Sequence, residues 1–235
     1  MPHPSQSPRF SRVLWPLLAV VALLAFWLWQ HYRPATPTPS PQIAPGPGFS
    51  TFDGCPLEGD ATNYSVQELN RLKNRTAIPQ PQQIDPAVTL TAMLEPGNDR
   101  HRWNKQRGAE ITGYVFDIKV GGVETVNCRA SDPQHRDAHI ELVLDPMNAG
   151  DTHRVIVEVT PRIRAIAEQR GEDWSTSALR DHFQGRWVRV TGWLLFDTEH
   201  ERQSLNTAPR RARSWRATAW ELHPVTSLEV VSGPD

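Results

Sequence analysis

The hydrophobic pattern divides the chain into three stretches, and the first has no period at all. From Val13 to Trp29 the sequence reads VLWPLLAVVALLAFWLW, with no charged residue. As a helix this run spans about 25 Å, slightly less than the hydrocarbon core of a bilayer. Trp15, Trp27, Trp29 and Tyr32 stand where an interfacial aromatic belt would lie, and Pro16 falls in the first turn, where its missing N–H costs little. The pattern predicts a single-pass transmembrane anchor over 13–32. Arg9 and Arg12 precede it, so the positive-inside bias places residues 1–12 in the cytoplasm and the remainder beyond an inner membrane, in a periplasmic or otherwise extracytoplasmic space. The run ends in bulky FWLWQHY instead of the small residues that signal-peptide cleavage needs, so the segment is read as retained.

The second stretch, 33–50, carries Pro34, Pro37, Pro39, Pro41, Pro45 and Pro47 and has almost nothing to bury. It predicts an extended polyproline spacer. The third stretch alternates between helical and strand periods. Within 51–107, Ser65 and Glu68 have the spacing of a capping box ahead of Leu69 and Leu72, and 85–94 is read as a second short helix between Asp85-Pro86 and Pro96-Gly97. These helices form an N-terminal extension that packs on the domain beginning at 108.

From 108 to 235 the period is two, interrupted once. Tyr114, Phe116, Ile118 and Val120 share a face, as do Ile140, Leu142 and Leu144, and Val155, Val157 and Val159. Thr160-Pro161 then starts a helix with Ile163, Ile166 and Ala167 on its apolar stripe, and a shorter helix follows over 175–183. Alternation returns with Val188, Val190, Leu194 and Phe196 around Gly192, and again with Trp220 and Leu222. The order β-β-β-α-β-β predicts a mainly β protein with short helices, an OB-like five-stranded barrel that closes its own edges, after an N-terminal transmembrane helix.

Charge narrows the partners little. The 25 Lys and Arg against 26 Asp and Glu leave a formal net charge of -1, so no global field draws nucleic acid to the protein. With an extracytoplasmic address, an envelope protein, a polysaccharide or another anionic ligand is the expected partner, alongside the lipid bilayer at 13–32.

The stretches GYVFDIKVGGVETVNC, RWVRVTGWLLFDTEH and WRATAWELHPVT resemble a group of uncharacterised bacterial proteins that have an OB-like β-barrel and are membrane-anchored or exported. The resemblance covers roughly the last two thirds of the chain. It implies the fold and attaches no activity.

Four sets of residues carry candidate chemistry. Trp187 and Trp193 point outward on a strand with Arg189, which would offer a stacking face, although a covering segment would remove it. Arg210, Arg211 and Arg213 lie between the last two strands, where an OB-like barrel frames its ligand. His139 with Glu141, Asp197 with His200, and Glu221 with His223 are three His/carboxylate pairs near strand ends. No motif demands a cofactor, but if the pairs meet, imidazole and carboxylate suit zinc or another divalent ion. Cys55 and Cys128, the only cysteines, would form a disulfide in an oxidising compartment. Two functions follow: a membrane-tethered binding or scaffolding module of the cell envelope, or a metal-dependent hydrolase that uses the His/carboxylate cluster.

Overall fold

The computed structural model describes Leu24, Trp27, 51–209 and 213–233. The chain divides into two compact units, Met1–Pro39 and Ser40–Asp235. In the first, Leu24 and Trp27 are helical and exposed; the rest of the expected anchor and the whole proline spacer lie outside the described residues. Among the described residues no helix is long and apolar enough to cross a membrane.

In the second unit five strands form a closed, mixed barrel: β3 (Gly108–Val120), β4 (Ala138–Val143), β5 (Val155–Val159), β6 (Trp187–Phe196) and β7 (Trp220–Val230). Around the barrel the order is β3-β4-β5-β7-β6, with β6 pairing back to β3; only β5 and β7 run parallel. Ahead of it stand a two-residue hairpin, β1 (Thr51–Phe52) and β2 (Cys55–Pro56), and two helices, α1 (Tyr64–Lys73) and α2 (Leu90–Leu94). Between β5 and β6 lie α3 (Pro161–Glu168), capped by Thr160, and α4 (Thr176–Phe183), capped by Ser175.

The expected strand faces hold for β4, β5 and β6, whose Ile140, Leu142, Val155, Val157, Val159, Val188, Val190 and Leu194 all enter the core. They fail for β3. Ile111, Val115 and Ile118 point inward while Tyr114 and Phe116 are half-buried outside, because the register shifts between Val115 and Asp117. A bulge inserts one residue, so strict alternation read across it assigns the wrong face. Leu144 lies past the end of β4 and is exposed. The bend expected at Gly192 is real: the β6–β7 register shifts there, and a Cβ would come 2.7 Å from the Pro224 carbonyl oxygen.

Helix ends also depart from the simplest reading. α1 is capped by Asn63, whose side chain accepts from the Ser65 amide, and α2 begins only at Leu90, after Thr89 has accepted from the Ala92 amide. Asx and Ser/Thr caps are close competitors when several lie together. The 51–107 extension closes over the barrel. Val88, Leu90 and Met93 join the core, and Trp103 meets Trp220 edge-on with ring centroids 5.6 Å apart. The Arg75 guanidinium donates to the carbonyls of Lys105, Leu194 and His223.

Cys55 and Cys128 are joined by a disulfide with alpha carbons 5.9 Å apart, tying β2 to the turn after β3 across 73 positions of sequence. Cross-linking a loop of that length restricts the unfolded chain, so replacing both cysteines by serine is expected to lower stability by about 4 kcal/mol. Denaturant midpoints of the two proteins check this, and equal midpoints would remove the bridge from the stability of the domain.

Candidate metal centre

β4, β5 and β7 lie side by side, and each has an inner and an outer face. Ala138, Ile140, Leu142, Val157 and Leu222 face the core. The alternate positions carry Asp137, His139 and Glu141 on or just before β4, Glu158 on β5, and Glu221 and His223 on β7, and all six are buried. Register does the assembling, since His139 is paired with Glu158 across the strands and Val157 with Leu222.

Three segments cover this outer face. Lys73, at the end of α1, lies 2.7 Å from Glu124 and 3.8 Å from Asp197. The turn after β3 is fastened by the Gly121 amide, which donates to the Asp137 carbonyl. The loop between β6 and β7 places the Trp215 ring between His139 and His200, with centroids at 5.6 and 5.7 Å.

The charges under this cover do not cancel evenly. Glu141 holds Lys119 and, at 2.9 Å, Arg154. Glu221 holds the buried Arg216 at 2.6 Å, and Asp197 has Lys73 and His200. Among the described residues, Asp137 and Glu158 are ion-paired with His139 and His223 and with no Lys or Arg. Burial pushes the Asp137 carboxyl up to about 7, against the opposing pull of His223. Burial would also raise Glu158, but the His139 hydrogen bond and the charges of His223, His139 and Lys73 reverse it and hold that carboxyl well below its ordinary value.

The imidazoles are oriented by carboxylates. Nδ1 of His139 donates to Glu158 Oε1 at 3.0 Å, and Nδ1 of His223 donates to Glu221 Oε2 at 3.2 Å. Nε2 is then the remaining nitrogen of each ring, and both Nε2 atoms are buried without a hydrogen-bond partner; a ring that gives up its Nε2 proton would present a lone pair there. Asp137 Oδ1 is also buried and unpartnered, and its Oδ2 lies 3.8 Å from His223 Nε2. Around a tetrahedral cation with bonds near 2.1 Å, ligand atoms sit about 3.4 Å apart, so this spacing suits an ion between them. One ligand atom from each of Asp137, Glu158 and His223 lies within 4.8 Å of the other two.

A second trio, Asp197, His200 and Glu221, has the same spread. Its carboxylates are already served by Lys73 and Arg216, so a divalent ion there would have to displace two buried cations. Its better use is in His200. Asp197 accepts from His200 Nδ1 at 2.6 Å and raises the pKa of that ring, leaving Nε2 for the pocket that His200 lines. That pocket holds about 260 Å³ and is also lined by Lys119, Gly122, His139, Glu158, Trp215 and Arg216.

Of the sequence-derived metal set, His139, His200, His223 and Asp197 fall in one connected network. Glu141 meets that network at His139, whose Nε2 lies 3.7 Å from Glu141 Oε1, but its carboxylate is held chiefly by Lys119 and Arg154. The pairs lie on a covered sheet face and not simply at strand ends. Asp137, Glu158, Lys73 and Arg216 were not in that set. Asp137 and Glu158 had a signal, since each continues the outward alternation that carries His139, but an outward acid in a strand ordinarily reads as solvated. Lys73 had none, being brought in by tertiary packing, whereas Arg216 had one in its place at the end of the basic loop between the last two strands.

The proposed stacking face changes more. Trp193 is only 7% exposed: Nε1 donates to the Ala77 carbonyl at 2.6 Å and Arg75 lies over the ring, so the 51–107 extension covers it. Trp187 is half-buried against Tyr114, and Arg189 is paired with Glu229 and Glu110. Arg213 is exposed, whereas Arg210 and Arg211 lie outside the described residues. No protein-family model matches the chain, and no curated protein matches it either.

Proposed function

We propose that this protein is a metal-dependent hydrolase built on an OB-like barrel and tethered to the outer side of an inner membrane. The strand order and the helix between the third and fourth barrel strands support the OB-like reading. The tether rests on the Val13–Trp29 sequence, and the Cys55–Cys128 bridge supports an oxidising compartment.

The observation that carries the function is the buried trio Asp137, Glu158 and His223, whose ligand atoms lie within 4.8 Å of one another and which includes the unpartnered His223 Nε2 and Asp137 Oδ1. Asp137, Glu158 and His223 would hold the ion, with zinc first among candidates for a mixed nitrogen and oxygen set, and His139 is hydrogen-bonded to Glu158 through Nδ1. Bound there, a divalent ion supplies Lewis-acid polarisation and a more acidic water. The chain's own groups do the rest. Glu221 and Glu158 orient the imidazoles, the covering segments limit water, and His200, steadied by Asp197, carries a proton. In hydrolysis water adds to the ester centre, one proton passes by way of His200 to the departing alkoxide, and ester plus water become acid plus alcohol.

The full chain, purified in neutral detergent micelles, is expected to retain one equivalent of zinc on metal analysis. It should also cleave activated nitrophenyl esters or phosphoesters, with activity lost to chelator and regained on adding zinc. Stoichiometric zinc without turnover would reduce the protein to a metal-stabilised binding module. An absence of zinc, manganese or any other divalent ion would sink the proposal.

A further inference from the structure

Arg216 is the one cation of the network whose guanidinium is not fully used. It is buried, its Nε donates to the Thr218 carbonyl at 2.7 Å, and its Nη1 donates to Glu221 at 2.6 Å, but Nη2 is buried with no hydrogen-bond partner. A guanidinium carries five N–H donors in a rigid fork, and leaving one edge dry and unpaired is costly. Arg216 also lines the pocket that Glu158 and His200 line, a cavity that touches both a metal ligand and the proton carrier.

We propose that this pocket takes an anionic oxygen group, a phosphoryl or a carboxylate, on Arg216 Nη2, with the body of the ligand against Trp215. Rings of His139 and His200 flank Trp215, and the Arg216 guanidinium lies 5.3 Å from its centre, which makes the indole a fixed wall. Lys119 at the rim adds positive charge, although it is shared with Glu141. Glu124 and Glu158 line the same pocket and oppose an anion. A divalent ion held by Asp137, Glu158 and His223 reverses that local sign, so the anion subsite is conditional on the metal. The inference therefore rests on the metal reading, and it adds what the metal reading does not contain: a substrate class and the residue that selects it.

Calorimetric titration into the full chain in neutral detergent tests it, with zinc content measured on the same samples. Phenylphosphonate and benzoate are the probes, and benzyl alcohol is the neutral control. At least one of the two anions is expected to bind the zinc-loaded protein, tenfold or more tighter than the metal-free protein, with no binding of the alcohol. Arg216→Lys keeps a charge for Glu221 but loses the second nitrogen, and should weaken the anion at least tenfold with zinc content unchanged. Trp215→Ala touches no metal ligand and gives a second reading should the lysine variant not fold: it should weaken phenylphosphonate and spare methylphosphonate. Which of the two anions prevails identifies phosphoryl or carboxylate as the group. If zinc binds and neither anion does, or if both substitutions leave anion binding unchanged, the subsite is wrong while the metal reading stands. If no metal binds, both fall together.

Discussion

Lys73→Met is expected to lower the unfolding free energy of the metal-free protein by about 4 kcal/mol, the scale set by removing one partner from a buried ion pair. The Lys73 side chain is buried at the end of α1, with Glu124, Asp197 and Glu199 within 4 Å. Burial by itself would lower the pKa of this amine, but Asp197, Glu124, Glu221 and Glu158 more than reverse it and hold it well above its ordinary value. Methionine keeps the apolar stem and removes the charge, so the loss would be electrostatic and not a packing defect. Urea unfolding with a common slope measures it. A loss under about 1 kcal/mol would mean that Asp197 and Glu124 find water or protons at little cost, and that α1 is not held to the barrel by charge.

The second large effect separates a functional acid from a structural one. Asp137→Asn is expected to weaken zinc binding at least ~100-fold while making the metal-free protein more stable by about 1–2 kcal/mol at pH 8. Asp137 is 3% exposed, its Oδ1 is unpartnered, and burial raises its carboxyl from the usual carboxylate range to about 7. The sign follows from linkage. A folded-state pKa above the unfolded one means that the folded chain holds the proton longer. The cost of ionising Asp137 is thus absent in strong acid, grows as pH rises through the unfolded carboxylate pKa toward 7, and is constant above that. The stability gap between variant and parent should follow the same course when melting temperatures are measured in chelator from pH 4 to 8. A residue kept for stability would behave oppositely, and a destabilised Asn variant would argue that Asp137 serves the fold. Added zinc should invert the ranking, because only the parent gains the ion's binding energy.

How far such a site could be read in advance depends on what each residue's signal measures. The barrel strands were legible because apolar residues at every second position have one good solution, an inward face, and β4, β5 and β6 adopt it. β3 was legible as a strand but not in its facing, since a bulge adds a residue without changing composition, and Tyr114 and Phe116 pass to the outside. The site was half legible. His139, His200 and His223 stood out beside acids, yet Glu158 looks like any outward acid in a strand until its neighbours and its cover are known. Trp193 shows the reverse error: an outward aromatic reads as a binding surface until Arg75 and Ala77 are placed on it.

Local order, then, was set by the chain's own periodicity: the capped helix after β5 and the alternating strands, each the outcome of forces acting over a few neighbouring residues. What only the tertiary structure decided was which polar groups lost their water. Closing the barrel set β4, β5 and β7 edge to edge, and the segments bearing Lys73 and Trp215 then sealed acids and imidazoles from distant positions under one roof. Desolvation is a property of the assembled neighbourhood and not of any stretch of sequence. It turns Asp137, Glu158 and His223 from ordinary polar side chains into a buried group whose ligand atoms lie within 4.8 Å of one another.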